Sequence, residues 1–190
     1  MGLSLLEKGV LLDLARSAAT AFIQEGLGEE PDIDTRRLPK ALMEKKGLFV
    51  AIYKQGELRG CMGTLLPVMP IWEACMVNAL SAAYKDTRFT PLHVNELGCI
   101  SFEITVIETP RLLSDLSQVT DGIKGLILTQ GFRSEVFLPG SLKDVPKCTE
   151  ELFESLRAKA DIANDEPEAP EVWEVFEAEV ISDRNAGVMP

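Results

Sequence analysis

Histidine is almost missing from this chain. There is one, His93, in 190 residues, beside four cysteines, Cys61, Cys75, Cys99 and Cys148. No two of the cysteines stand as a CxxC pair. A structural zinc site draws about four Cys or His ligands from closely spaced pairs, so no metal site is expected. Basic residues are also scarce. Lysine and arginine total 19 against 30 acids, a formal net charge of −11. Arg36 and Arg37 are adjacent, as are Lys45 and Lys46, yet neither pair makes a stripe. A nucleic-acid backbone would be repelled, and nucleic-acid binding is not expected. Apolar runs of membrane-spanning length are lacking. So is a basic segment leading into an apolar one at the amino terminus, MGLSLLEKG, and Leu6 breaks the myristoylation pattern. A cytoplasmic protein with reduced thiols is the expectation. No residue pattern names a cofactor.

What is present is a globular mixture, 46% hydrophobic and 26% charged. It suffices for one core and does not require two independent domains. Ser4 and Glu7 form a capping box. Val10, Leu11, Leu14, Ala15, Ala18, Ala21 and Phe22 follow at helical spacing, and Gly26 is a stop, so a helix is predicted from about Ser4 to Glu25. Residues 26–40 read as a loop. GLFVAIYK, from Gly47 to Lys54, is a continuous apolar run that predicts a strand buried on both faces. Gln55-Gly56 is a turn signal, so ELRGCMGT returns as the second strand of a hairpin. After Pro67 and Pro70, the stripe Ile71, Trp72, Cys75, Met76, Ala79, Leu80 and Ala83 predicts a helix ending near Lys85.

From Cys99 to Ile107 apolar and polar residues alternate. Ile100, Phe102, Ile104 and Val106 take one face, Ser101, Glu103 and Thr105 the other. LILT and EVFLP predict shorter strands around a Gly131 turn. Thr149 to Ala160 predicts a helix, and Asp161 to Glu171, with five acids and no base, a solvated loop. The alternation of Phe176, Ala178 and Val180 predicts a last strand. Strands and helices mix without a strict βαβ rhythm. That is an α+β class with a mixed or largely antiparallel sheet and flanking helices.

The densest chemistry lies in ELRGCMGT. If the strand alternates simply, Arg59 and Cys61 share a face with Cα atoms roughly 6.5–7 Å apart. Gly60 and Gly63 remove the neighbouring side chains. Two readings stand. The glycines open a floor for a ligand, Arg59 supplies charge, and Cys61 supplies a thiol whose pKa the guanidinium lowers. Alternatively the glycines admit a packed helix, Cys61 is a small buried hydrophobe, and Arg59 pairs with a carboxylate at the rim. Cys75 falls in a helix stripe and reads as core; Cys99 and Cys148 open a strand and a helix. His93, in a polar loop, is a candidate base for Cys61. Glu103, on the polar face of its strand, is a candidate acid, base or arginine partner. Asp86 and Arg88 in DTRFTP form either a structural ion pair or an anion-recognition pair beside Phe89.

LRGCMGT resembles the LRGCIG signature of the AMMECR family. AAYKDTRFTPL resembles the family's alanine-rich helix followed by D-x-R-F-x-P, and ELGCISFEITVIETP resembles its next strand segment, in the same order and spacing. The likeness runs from about Gly47 to Pro110, and more loosely through GIKGLILTQGFRSEVFLPG and KADIANDEPEAPEVW into the final strand. Met62 replaces the usual isoleucine, a volume-conserving change, and Gly140 stands where the family commonly has glutamine. The resemblance implies a single AMMECR-like domain over 1–190, an α+β fold of two lobes with a cleft between them lined by the signature. It implies as partners a Memo-like protein of the extradiol-dioxygenase superfamily and a radical-SAM protein. It names no reaction. The function expected is a cysteine-dependent enzyme or enzyme subunit acting on a small molecule, with Cys61, Glu103 and His93 catalytic. Arg59, Gly60, Gly63, Asp86, Arg88 and Phe89 would bind the substrate. The alternative is a non-catalytic ligand- or partner-binding module.

Overall fold

Ser4 starts the first helix as its spacing to Glu7 predicts. The Glu7 N–H donates to Ser4 Oγ at 3.3 Å, and the Ser4 N–H donates to Glu7 Oε2 at 2.7 Å. In this computed structural model, which describes residues 2–25, 33–114, 124–142, 149–160 and 169–183, helix α1 spans Leu5–Glu25. Leu11, Leu14, Ala15, Ala18 and Ala19 form its buried face. Helix α2, Ile71–Tyr84, begins after Pro70 and buries Ile71, Ala74, Cys75, Ala79, Ala82 and Ala83. Alanines on both faces let the helix backbones approach closely. Side chains of α2 accordingly reach carbonyls of α1: Cys75 Sγ donates to Leu11 O at 3.3 Å, and Tyr84 Oη to Ala19 O at 2.8 Å.

Strands β1, Gly47–Lys54, and β2, Glu57–Thr64, form the antiparallel hairpin. Its two turn residues, Gln55 and Gly56, have φ of 54° and 87°. Two successive left-handed residues give the turn whose twist suits a hairpin, and glycine takes the second without strain. Strand β3 is Ile100–Ile107. Leu48, Val50 and Ile52 of β1 and Phe102, Ile104 and Val106 of β3 join the helices in one core. Two details differ from the sequence expectation. Cys99 ends a 3-10 turn, Val94–Cys99, instead of opening the strand. The alternation of β3 also fades: Thr105 is 4% exposed and Ile107 2%, so the strand's second half is buried on both faces.

Strand β4 is Arg111–Leu112, β5 Lys124–Gln130, β6 Arg133–Phe137 and β7 Glu171–Ser182, with helix α3 at Thr149–Ala160. Strands β5 and β6 are the expected hairpin, turning through Gly131 at φ 61°. Strand β7 is longer than its alternation showed and pairs antiparallel with β4 and β5. Leu126, Leu128, Phe137, Leu152, Phe153, Leu156 and Val175 make a second core. Phe153 meets Trp173 edge-on, with ring centroids 4.5 Å apart. The strand order is β2-β1-β3-β7-β5-β6. The chain divides into two compact units, residues 1–106 with 179–190, and residues 107–178. Cys148, Gly28 and the acidic stretch from 161 to 168 lie outside the described residues, as do the side-chain surroundings of Gly140. No described helix is long and apolar enough to cross a membrane.

Candidate functional site

Strand β2 carries one residue more than simple pairing allows. Ile52 lies opposite Gly60, but Tyr53 lies opposite Leu58, so Arg59 is the inserted residue of a β-bulge. A bulge breaks the two-residue alternation and re-aims a side chain. Arg59 therefore does not stand beside Cys61 as simple alternation predicts. Its Nε donates to Glu96 Oε1 at 3.0 Å and its Nη2 to Glu96 Oε2 at 2.9 Å, a bidentate pair. Nη1 and Nη2 also donate to the carbonyls of Thr90 and Pro91, at 2.9 and 3.3 Å. Lys54 Nζ reaches Glu96 Oε1 at 2.9 Å, and the His93 N–H donates to Oε2 at 3.0 Å. The side chains of Arg59 and Glu96 are 14% and 12% exposed. The Arg59 guanidinium, with Lys54 and the His93 N–H, holds the Glu96 carboxyl at about 2 against the upward push of its own burial.

Cys61 keeps different company. Its N–H donates to Asp86 Oδ2 at 2.8 Å. Asp86 is clasped by Arg88, whose Nε and Nη2 donate to Oδ1 and Oδ2 at 2.9 and 2.7 Å. That clasp is the largest cause holding Asp86 at about 2. The Arg88 guanidinium lies 5.5 Å from the Phe89 ring centroid. The cation acting on the Cys61 thiol is thus Arg88. It is outweighed by burial, with Asp86 and Glu103 adding repulsion, and the thiol is pushed up to about 11. At neutral pH only about one molecule in ten thousand carries thiolate at such a site. The expectation of a lowered pKa is overturned by desolvation.

The glycines also have packing partners. A side chain at Gly60 would collide with the backbone carbonyl of Ala82 in α2, and one at Gly63 with the Phe49 ring. They admit a helix and an aromatic ring close to the strand. Because Gly60 faces α2, Cys61 faces the opposite side of the sheet. Tyr53 and Glu103 are there too, with Tyr53 Oη donating to Glu103 Oε1 at 3.4 Å. All three are half-buried.

Of the residues singled out in the sequence, Cys61, Glu103, Asp86 and Arg88 are brought together, with Phe89 under Arg88. Arg59 is drawn to Glu96. His93 is exposed, its Nδ1 2.9 Å from Asn95 Oδ1, and its backbone starts the turn that carries Glu96. Glu96, Lys54 and Tyr53 were not foreseen. The signal for Glu96 was local: a glutamate three residues beyond a turn-starting residue reaches back to its N–H. Among the described residues no group of three or more His, Cys, Asp or Glu is placed to hold a metal.

The AMMECR1 family model matches residues 13–181. A protein of Thermofilum pendens is 34% identical over 179 residues, covering 86% of this chain and 83% of its own. A protein of Nanoarchaeum equitans is 37% identical over 136 residues, covering 68% and 73%. The crystal structure of an uncharacterized protein from Pyrococcus horikoshii superposes with a TM-score of 0.77 at 27% identity, covering 92% of this chain and 90% of that one. With residues 13–181 matched by the family model and the relatives aligned along most of one α+β chain, this protein belongs to the AMMECR1 family.

Proposed function

We propose that this protein is a recognition module, binding a ligand or partner at the sheet face that carries Cys61, Tyr53 and Glu103. The observation that carries the reading is the Cys61 thiol, held near 11 with Arg59 committed elsewhere. A thiol in that state is a poor nucleophile but a good half-buried contact, apolar and small. Tyr53 and Glu103 supply the polar groups that orient a ligand, and Arg88 lies at the rim. The partner suggested by the family resemblance is a Memo-like protein, acting alongside a radical-SAM protein in the cytoplasm. Immobilised protein would be offered the purified Memo-like protein and, separately, a metabolite pool. Binding that survives Cys61→Ser, without turnover, supports the module. Binding unaffected by Tyr53→Phe combined with Glu103→Gln, or turnover of a metabolite abolished by Cys61→Ser, refutes it.

A cysteine-dependent enzyme is the second reading, favoured by Arg88, the cation that draws the Cys61 pKa down. In it Cys61 attacks and Glu103 moves the proton. Turnover of a metabolite abolished by Cys61→Ser and kept by Cys75→Ser would establish it.

A further inference from the structure

Among the described residues, strand β2 is an edge strand, the first in the order β2-β1-β3-β7-β5-β6. Edge strands present unpaired N–H and C=O groups, and proteins guard them with lysine, proline, bulges or covering segments. From Glu57 to Thr64 there is neither lysine nor proline. The one cation, Arg59, is turned onto Glu96. Its bulge interrupts pairing near the turn, which leaves the stretch from Gly60 to Thr64 to be guarded otherwise.

The guard lies at Cys61. Opposite Ala51, Cys61 sends its N–H outward, away from β1, to Asp86 Oδ2 at 2.8 Å. Its C=O receives Arg88 Nη2 at 3.5 Å. One residue of an edge strand thus has its outward donor met by a carboxylate oxygen and its outward acceptor met by a guanidinium. Those are the two bonds that a hydrogen-bonded antiparallel neighbour would exchange with it. Asp86 and Arg88 are joined to each other by two further bonds, at 2.9 and 2.7 Å. Its acid is 5% exposed and its base 58%.

We infer that the Asp86–Arg88 fork mimics a neighbouring strand and thereby keeps the β2 edge of one molecule from pairing with the β2 edge of a second copy. A second copy is the occupant the geometry fits. Two β2 strands related by a two-fold axis through Cys61 would exchange N–H and C=O bonds residue for residue, an isologous contact. Gly63, two residues along, has its backbone turned the same way and no side chain to obstruct a neighbour. The fork gives the D-x-R segment a role beside LRGC that requires no ligand: it closes a main chain whose glycines leave it bare.

The experiment uses Asp86→Leu and Arg88→Ala in the full chain, with Cys99→Ser and Cys148→Ser so that Cys61 is the reporter and Cys75 stays in the core. Mass is followed by light scattering as concentration rises, and cross-linking by mild oxidation. In an antiparallel pair about Cys61 the two Cα atoms lie about 5.5 Å apart, within disulfide reach. With the fork intact, no Cys61–Cys61 disulfide forms. With Asp86→Leu, the mass rises towards about twice the monomer's and that disulfide appears. Arg88→Ala, which keeps the carboxylate on the Cys61 N–H, gives the same product at a lower yield. Circular dichroism reports folding. If Asp86→Leu unfolds, Arg88→Ala decides alone. A folded variant that stays monomeric at every concentration overturns the inference, as does association without a Cys61–Cys61 disulfide.

Discussion

The thiols rank by environment. Cys99 is exposed, with its Sγ 3.2 Å from the Glu96 carbonyl; Cys61 is half-buried; Cys75 is in the core, where burial pushes its pKa well up. With Cys148 replaced by serine, alkylation at neutral pH followed by peptide mapping should label Cys99 first, Cys61 slowly and Cys75 only on unfolding. The Cys61 rate should climb about tenfold per pH unit towards about 11. A Cys61 that labels first, with a plateau near neutrality, would restore the thiolate. Glu96 and Asp86 set the acid limit of stability. Both folded pKa values lie near 2, below their ordinary 4.5 and 3.8. A depressed carboxylate contributes stability that is complete above its unfolded pKa and is lost as pH falls through the folded one. Melting temperature should therefore drop from about pH 4.5 down to about pH 2. In Glu96→Gln that descent should be shallower. At neutral pH the same variant should lose about 2–3 kcal/mol, since Arg59 keeps its burial without its anion. An unchanged acid limb in Glu96→Gln would show that the Arg59–Glu96–Lys54 cluster contributes nothing.

At the scale of the elements, β2 is held on both sides. Its Gly60 receives α2 and its Gly63 lies over Phe49 of β1. A valine at Gly60 must push back the Ala82 carbonyl, which is helix backbone and cannot rotate aside. Gly60→Val should cost about 3 kcal/mol or more, and Gly63→Val somewhat less because the Phe49 ring can shift. Gly98, with open space where a side chain would go, is the control, and Gly98→Ala should change stability by under about 0.5 kcal/mol. Gly9 sits inside α1 with nothing within 4 Å of an added methyl. Gly9→Ala should accordingly stabilise by about 0.5–1 kcal/mol. Denaturant midpoints at constant m-value measure all four. Equal midpoints for Gly60→Val and Gly98→Ala would mean that the close approach of α2 to β2 carries no energy.

Among the described residues, several of the few bases are locally neutralised. Arg36 and Arg37 turn to Asp34, Lys46 to Glu44, Lys8 to Glu179, Arg16 to Asp183 and Arg157 to Glu171. What remains is the acidic excess behind the net charge of −11. Such a charge balance disfavours displacing counterions from a polyanion. The protein should pass through a heparin column at low salt and bind an anion exchanger. Retention on heparin would reveal a basic patch gathered by the fold.

Composition and periodicity were enough for the α+β class, for α1, α2, α3 and the β1–β2 hairpin, and for Cys75 as a core residue. Each of these rests on local information: a capping box, a 3.6-residue stripe, a turn dipeptide. That LRGC and DTRF belong to one site was an expectation of the family resemblance and not of any local signal. The partners of the charges were not. A single inserted residue at Arg59 undid the inference that Arg59 and Cys61 share a face, because the bulge depends on how β1 pairs with β2 and not on either strand alone. The state of the Cys61 thiol was likewise tertiary: the nearest cation in sequence is Arg59, while the cation that acts on it arrives 27 residues later, on the far side of α2, and burial outweighs it. Local sequence sets which side chains can point together; only packing decides which do, and how much water is left around them.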